Sequence, residues 1–559
     1  MNHIIQPDLR KIRQILSPQN LLCFVILFAL LAFRTPEDLF TPYLYSEDGG
    51  VLIQGSIYNG IRGIVKPGNG TYWVIQKALA LLCYWVILPT RSIAALPYIM
   101  QVLTKILGTL SVMYFISDRF QWLVSKRTYR FWICVGVILL MPQHADDVLV
   151  CDTSLPFQLF FVAFLIGLDL LCSGKYDTPN WGQTVFFMLL AVSTASALCL
   201  AAIVAASFLQ WIVVQVEHGT LKKRAVGIEI FKLCMICGAV WIQVRLVLSS
   251  DRVSGSLDLT NRMILSLKSF VFFPYWNKFQ TWRAFFVGLI IWAFIGCIIK
   301  LPWKTVLYCG GFSYLFMLYC SMVTSAEEFY QTMYGRYVFT CYEIAALMIG
   351  LAVVKFLGSG QPSKKNIGYV VLCATAIISL RTYNVPVTAS ECGEIYTTYC
   401  GLYEANGQDQ MRLPIAPFKP LAFVVPVEIS SKQMIDDLEF GVEYLDGIWV
   451  FNEAFGQLKP NTIWNEHELS GYIRSSTKNQ TFRRLFIKSG ASYTAAREIT
   501  ERAFFHEEPW MHNGYSFCAP LFHFSEGTTR LEIVGEADDG TWHCGTLDIT
   551  TTFEWEGIS

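Results

Sequence analysis

The chain has 559 residues, of which 53% are hydrophobic, 15% aromatic and only 15% charged. A globular chain carries about 45–50% apolar and about 25% charged residues, so water alone is not its solvent. Lys+Arg and Asp+Glu both total 43, and that balance leaves no basic excess of the kind that draws nucleic acid.

Apolar runs recur from residue 20 to residue 382 and then stop. About 20 helical residues cross a hydrocarbon core of ~30 Å, so these runs predict a polytopic α-helical membrane part over residues 1–382. The first, Leu21 to Phe33, follows Arg10, Lys11 and Arg13 and precedes no small-residue cleavage site. It reads as a retained first helix, with the N-terminus cytoplasmic.

Positively charged loops resist translocation. The clusters Arg119/Lys126/Arg127/Arg130, Lys222/Lys223/Arg224, Lys300/Lys304 and Lys355/Lys364/Lys365 are all expected on the cytoplasmic side. They fall there if the amphiphilic stretch Tyr72 to Leu88, with Trp73, Tyr84 and Trp85, lies along the outer interface without crossing. Spans are then expected near 20–34, 95–116, 131–143, 154–172, 184–199, 200–216, 227–248, 283–299, 305–324, 338–356 and 366–382. About eleven crossings put the loop 35–94, the connections 143–153, 249–282 and 325–337, and the whole of 383–559 outside. Four charges fall within spans, Lys105, Asp169, Arg245 and Glu343. The last three lie near span ends, within snorkelling reach of water, while Lys105 is central.

The outer loops hold the residues suited to chemistry. The first carries Glu47-Asp48-Gly49-Gly50; a paired acid activates a hydroxyl as general base or holds a divalent cation, and it also suits a solvated turn. A second acidic group, Asp146, Asp147 and Asp152, follows His144 in the connection before the fourth span. The third loop reads Tyr334-Gly335-Arg336-Tyr337, where a guanidinium fork flanked by phenols suits a phosphate and equally suits an aromatic-belt anchor.

In order and sidedness these motifs resemble the GT-C class of polyprenyl-phosphate-dependent glycosyltransferases over residues 1–382. The resemblance implies transfer of a sugar from a polyprenyl-phosphate donor to an envelope glycan or glycolipid acceptor, such as lipopolysaccharide or O-antigen. The transfer is an inverting single displacement at the periplasmic face of the cell inner membrane. It implies Glu47 or Asp48 as the catalytic carboxylate; the chain reverses the family's usual Asp-Glu order, which leaves the two open, with Asp48 the first choice. It implies Asp146, Asp147 or Asp152 as the second acidic group, with a divalent cation (Mg or Mn) as an optional cofactor. Arg336, with Tyr334 and Tyr337, answers to the donor-phosphate site. The rival reading is a transporter or flippase of a glycolipid, favoured by Lys105, although transporters usually bind near the midplane.

Residues 383–559 alternate apolar and polar positions between Gly, Asn and Asp turns, as in Ala422 to Glu428, Thr481 to Ile487 and Arg530 to Val534. A mainly β extracytoplasmic domain is expected, with Trp510 and Trp542 either core or glycan-binding. Most of the 17 cysteines fall in spans; the simplest pairing of the others is Cys392 with Cys400 and Cys518 with Cys544.

Overall fold

The computed structural model describes residues 17–36, 40, 44, 48–67, 71–90, 92–141, 154–194, 197–249, 302–323, 339–382, 390–414, 422–445, 448–449, 467–475, 481–499, 514–522 and 530–548. The chain forms two compact units. One comprises Met1–Leu39, Ile64–Ala78 and Gln101–Val387; the other comprises Phe40–Gly63, Leu79–Met100 and Thr388–Ser559. Residues 40–63 and 79–100, which fall inside the membrane part by sequence, thus share a unit with the C-terminal residues.

The described helices, in chain order, are α1 (Pro18–Ala32), α2 (Gln54–Asn59), α3 (Val74–Ile87), α4 (Leu96–Met113), α5 (Arg127–Leu139), α6 (Leu155–Cys172), α7 (Trp181–Ala191), α8 (Leu198–Glu217), α9 (Lys223–Leu248), α10 (Trp303–Val323), α11 (Phe339–Leu357), α12 (Pro362–Thr382) and α13 (Ser390–Tyr399). Five of them, α4 with its 3-10 extension to Phe120, α6, α8, α9 and α11, are long and apolar enough to cross a membrane. Of the windows in α8 and α9 only 28% and 22% are buried. An apolar surface of that extent suits lipid rather than water.

Five is fewer than the eleven crossings expected, and the shortfall has local causes. Helix α7 has 11 residues and rises only ~16 Å. It ends because Ser193 turns out of the helix: the Ser193 hydroxyl accepts the Ile75 N–H at 2.9 Å and its carbonyl accepts Gln76 Nε2 at 2.9 Å. Helices α1 and α5 have 15 and 13 residues. Helix α12 has 21 residues but contains Lys364, Lys365 and Arg381, and the stretch 283–299 lies outside the described residues. Helix α3, with 14 residues, is too short to span, in keeping with an interfacial role for Tyr72 to Leu88.

Contacts along α6 mark two ends of the helical unit, one near Phe157 and one near Asp169. At one end Arg119 and Lys175 flank Asp169 at 3.4 and 3.2 Å, and the buried Arg130 donates to Asp118 at 2.9 Å and to the carbonyls of Ile116 and Val124. Arg130 and Asp169 are therefore bonded into the fold, and Arg127 at this end reaches Gln19 and Asn20. Between the ends, α6 and α10 interlock through Phe157, Phe160, Phe164, Phe312 and Phe316, with ring centroids 5.2–6.4 Å apart. Gly167 permits the approach, since a Cβ there would lie 2.1 Å from the Tyr308 hydroxyl, which donates to the Phe164 carbonyl. Small residues let membrane helices close to this distance.

The other unit holds, among the described residues, one sheet of eleven strands: β1 (Asp409–Pro414), β2 (Ala422–Val427), β3 (Met434–Asp436), β4 (Leu438–Leu445), β5 (Ile448–Trp449), β6 (His467–Ser475), β7 (Phe482–Ser489), β8 (Ser492–Ile499), β9 (Gly514–Phe522), β10 (Arg530–Ala537) and β11 (Trp542–Asp548). Their order is β3-β11-β10-β7-β8-β9-β6-β4-β5, with the β1–β2 hairpin joined through β8. Strands β3 (Met434–Asp436) and β4 (Leu438–Leu445) are separated only by Asp437. Because β3 pairs with β11 and β4 with β6, the sheet closes on itself as a barrel, which leaves few open edges. Asp437 fastens the seam: its N–H donates to the Cys544 carbonyl at 3.1 Å, and its carboxylate lies 2.8 Å from His543 Nδ1. Trp542 is buried and stacks on Phe486 at 6.3 Å, so it belongs to the core rather than to a glycan platform; Trp510 lies outside the described residues.

The cysteine pairing is corrected as well. Cys400 and Cys544 are free thiols. Cys544 on β11 and Cys518 on β9 are not on neighbouring strands by either route around the sheet, while a disulfide requires Cα atoms within about 7 Å. Burial pushes the Cys400 thiol up, and its Sγ donates to the Thr397 carbonyl.

Helix α13 packs on β7 (Phe482–Ser489) and β8 (Ser492–Ile499). The Tyr399 hydroxyl accepts the Leu485 N–H at 2.8 Å and shares its proton between the carbonyls of Leu485 and Ala496, at 2.8 and 2.6 Å. Beside it Arg484 pairs with Glu536 and donates to the Thr398 carbonyl at 2.7 Å. Tyr399→Phe leaves these buried backbone groups short of a partner, at about 1–3 kcal/mol. Exchange of the Leu485 amide, followed by hydrogen–deuterium mass spectrometry, is expected to speed up about tenfold or more; wild-type protection would contradict the role.

Candidate functional site

Asp48 heads a six-residue π-helical segment, Asp48–Ile53, and is 1% exposed. The segment runs into α2, where Gln54 Oε1 accepts the Val424 N–H of β2 (Ala422–Val427) at 3.3 Å and the Ser56 hydroxyl donates to the Leu52 carbonyl at 2.9 Å. Gly60 closes α2 with φ +51°, a conformation that favours glycine. The acidic loop is therefore a folded element packed on a strand of its own unit. Burying a carboxylate is costly, and π-helical turns occur mostly at functional sites; a solvated turn would have neither feature.

In the helical unit, Lys77 near the start of α3 is buried, and its ammonium donates to the Lys66 carbonyl. Burial lowers its pKa, and the positive charge of Lys66 lowers it further. Among the described residues no carboxylate pairs with it. A desolvated cation beside a second cation is a receptive place for an anion. Sequence reading passed over Lys77 because it sits in an apolar run, where the helical spacing of Gln76, Lys77 and the following apolar residues was the only signal.

A third feature is a polar layer at the end of the helical unit opposite the Arg119–Asp169 cluster. Lys105 is 2% exposed on α4, 3.4 Å from Gln101 Oε1, and its carbonyl accepts the Thr109 hydroxyl at 2.7 Å. One turn on, Gly108 meets Gln158 of α6: a Cβ would come within 2.1 Å of Gln158 Oε1. Thr340 of α11 donates to the Phe157 carbonyl at 2.6 Å. Glu343, one turn further along α11, is 1% exposed, and its Oε2 has no hydrogen-bond partner among the described residues. The snorkelling expected of Glu343 is thus corrected: its side chain is buried within the helical unit. Arg245 is exposed in the last turn of α9.

The remaining sequence-based candidates, Glu47, Asp146, Asp147, Asp152, Tyr334, Arg336 and Tyr337, lie outside the described residues. Among the described residues no three His, Cys, Asp or Glu side chains gather closely enough to hold a metal ion. In the barrel unit a polar cleft of about 270 Å³ is lined by Tyr84, Ser92, Tyr403, Glu404 and Asn406. The Tyr84 and Tyr403 hydroxyls meet at 3.1 Å, and burial pushes the Tyr403 hydroxyl well above its usual range. Aromatic faces with alternating donors and acceptors can hold a sugar ring. Comparison with known proteins returned no match: no family model, curated protein or solved structure aligns with the chain.

Proposed function

We propose that the protein is a GT-C-like membrane glycosyltransferase that moves a sugar from a polyprenyl-phosphate donor to an envelope glycan acceptor on the extracytoplasmic face. The observation that carries the reading is the buried Asp48 at the head of a π-helical segment, in the unit shared with the C-terminal barrel. With the N-terminus cytoplasmic and the C-terminal unit outside, Asp48 and the acidic group Asp146, Asp147 and Asp152 share one aqueous side. The same topology turns the Arg119, Arg127 and Arg130 end toward the cytoplasm, as the positive-inside rule requires.

In the reaction Asp48 accepts the proton of the acceptor hydroxyl, whose oxygen attacks the anomeric carbon. The bond from that carbon to the phosphate oxygen breaks, and the phosphate leaves with the electron pair. The donor-phosphate role falls to Arg336, with Tyr334 and Tyr337, and Lys77 offers a phosphate contact within the helical unit. A divalent cation held by Asp146, Asp147 or Asp152 would lend further charge. The polar cleft at Tyr84 and Tyr403 is the site we assign to the acceptor glycan.

Lys77→Met is expected to raise the KM for the lipid donor about 10- to 100-fold, since a hydrogen bond to a charged group contributes about 1.5–3 kcal/mol. Kinetics with purified protein test this; an unchanged KM would remove Lys77 from the phosphate site. The proposal as a whole is tested in lipid extracts: cells lacking the protein should accumulate the sugar-loaded polyprenyl phosphate, and an unchanged lipid pool would count against it.

A transporter of a glycolipid is the second reading, favoured by the buried Lys105 and Glu343. Charges inside a membrane bundle often mark a transport path. Lys105→Met and Glu343→Gln should abolish transport under that reading, whereas the transferase should tolerate them apart from any loss of stability.

A further inference from the structure

Helices α5, α11 and α12 enclose a groove of about 460 Å³ whose walls are almost wholly apolar. Gly368 sets its shape: a Cβ there would fall 2.9 Å from the Phe356 Cβ, so α12 lies hard against α11 near one end. Toward the other end the helices leave room, bounded by Gly136, Leu139 and Ala346. From Tyr129 to Leu140 along α5 the groove runs ~17 Å at 1.5 Å per residue, close to half of a ~30 Å hydrocarbon core. It opens past Trp132 and Leu372, which are exposed.

Three hydroxyls break the apolar lining, those of Tyr129, Thr375 and Ser379. The Ser379 hydroxyl, near the C-terminal end of α12, is buried to 5% exposure with no hydrogen-bond partner among the described residues. Thr375, the other hydroxyl on this wall, is already satisfied by the Val371 carbonyl. A buried hydroxyl without a partner is costly, and Ser379 sits three residues before the end of α12 at Thr382.

We propose that this groove is a lipid site that seats one ester-linked acyl chain of a membrane glycerolipid, with the ester carbonyl accepting a hydrogen bond from Ser379. A chain one leaflet deep matches the groove's length, a hydrocarbon matches its walls, and an acceptor at the chain's head matches the buried Ser379 donor. The site stands whether or not the protein is a transferase.

The test is native mass spectrometry of the full-length protein in detergent, titrated with dioleoylphosphatidylethanolamine and with its diether analogue, which lacks the carbonyl. Wild type should retain the diester about 2- to 10-fold better than the diether, the span of one hydrogen bond of 0.5–1.5 kcal/mol, and Ser379→Ala should abolish the difference. Gly136→Leu, whose added side chain would meet open space, should fill the groove and cut retention of both lipids at least tenfold with the melting temperature unchanged. Equal retention of diester and diether by wild type, full retention by Gly136→Leu, or stronger binding of an isoprenyl phosphate at this groove would overturn the proposal.

Discussion

Arg34→Met is expected to destabilise the helical unit by about 3 kcal/mol or more. Arg34 is fully buried just past the end of α1, and its guanidinium donates to the carbonyls of Ile138, Leu139 and Met141 at 2.9, 3.3 and 2.7 Å. Those carbonyls close α5, where the helix has no further N–H to offer them and where its dipole is negative. Hydrogen bonds to a charged group contribute about 1.5–3 kcal/mol each, not additively, and in hydrocarbon no water replaces them. Arg34→Lys keeps the charge but loses the planar fork, so it should recover part of the loss. Thermal unfolding of the detergent-solubilised chain measures both; a wild-type midpoint for Arg34→Met would show that α5 closes without the cap.

Asp48→Asn is expected to lower the turnover of sugar transfer about 10²- to 10⁴-fold, the range of a general base, with little change in melting because the amide is nearly isosteric. The proton of the acceptor hydroxyl then has nowhere to go as the new bond forms. Glu47→Gln should have a smaller effect if Asp48 is the base, and the larger one if Glu47 is. Purified protein assayed with its lipid-linked donor separates the two. Full turnover in both variants would leave the pair with a structural role only.

Much of the helical part was legible because an apolar run of about 20 residues has few other uses, and α4, α6, α8, α9 and α11 fall where their runs lie. The break between α7 and α8 was expected at 199/200 and falls instead after Ala191, because it depends on Ser193 binding Ile75 and Gln76, which lie 118 and 117 residues away in sequence. The role of Arg34 was not legible, since nothing local reveals that its partners sit at the end of α5. In the barrel, alternation predicted strands, but closure through Asp437 rests on pairings that no single strand encodes. The site was legible only in part: the Glu47-Asp48 pair advertises itself by composition, whereas the burial of Asp48 comes from packing on β2, and Lys77 and Glu343 carry no local motif at all.

The central claim is that this protein transfers a sugar on the outer face of the membrane, and mass spectrometry of envelope glycans tests it most directly. Cells lacking the protein would be complemented with wild type, Glu47→Gln or Asp48→Asn at matched membrane levels. The expected result is loss of one sugar mass in the null strain and in the Asp48→Asn strain, restored by wild type. Envelope glycans of identical mass in every strain would contradict a transferase and leave Lys105 and Glu343 as parts of a transport path.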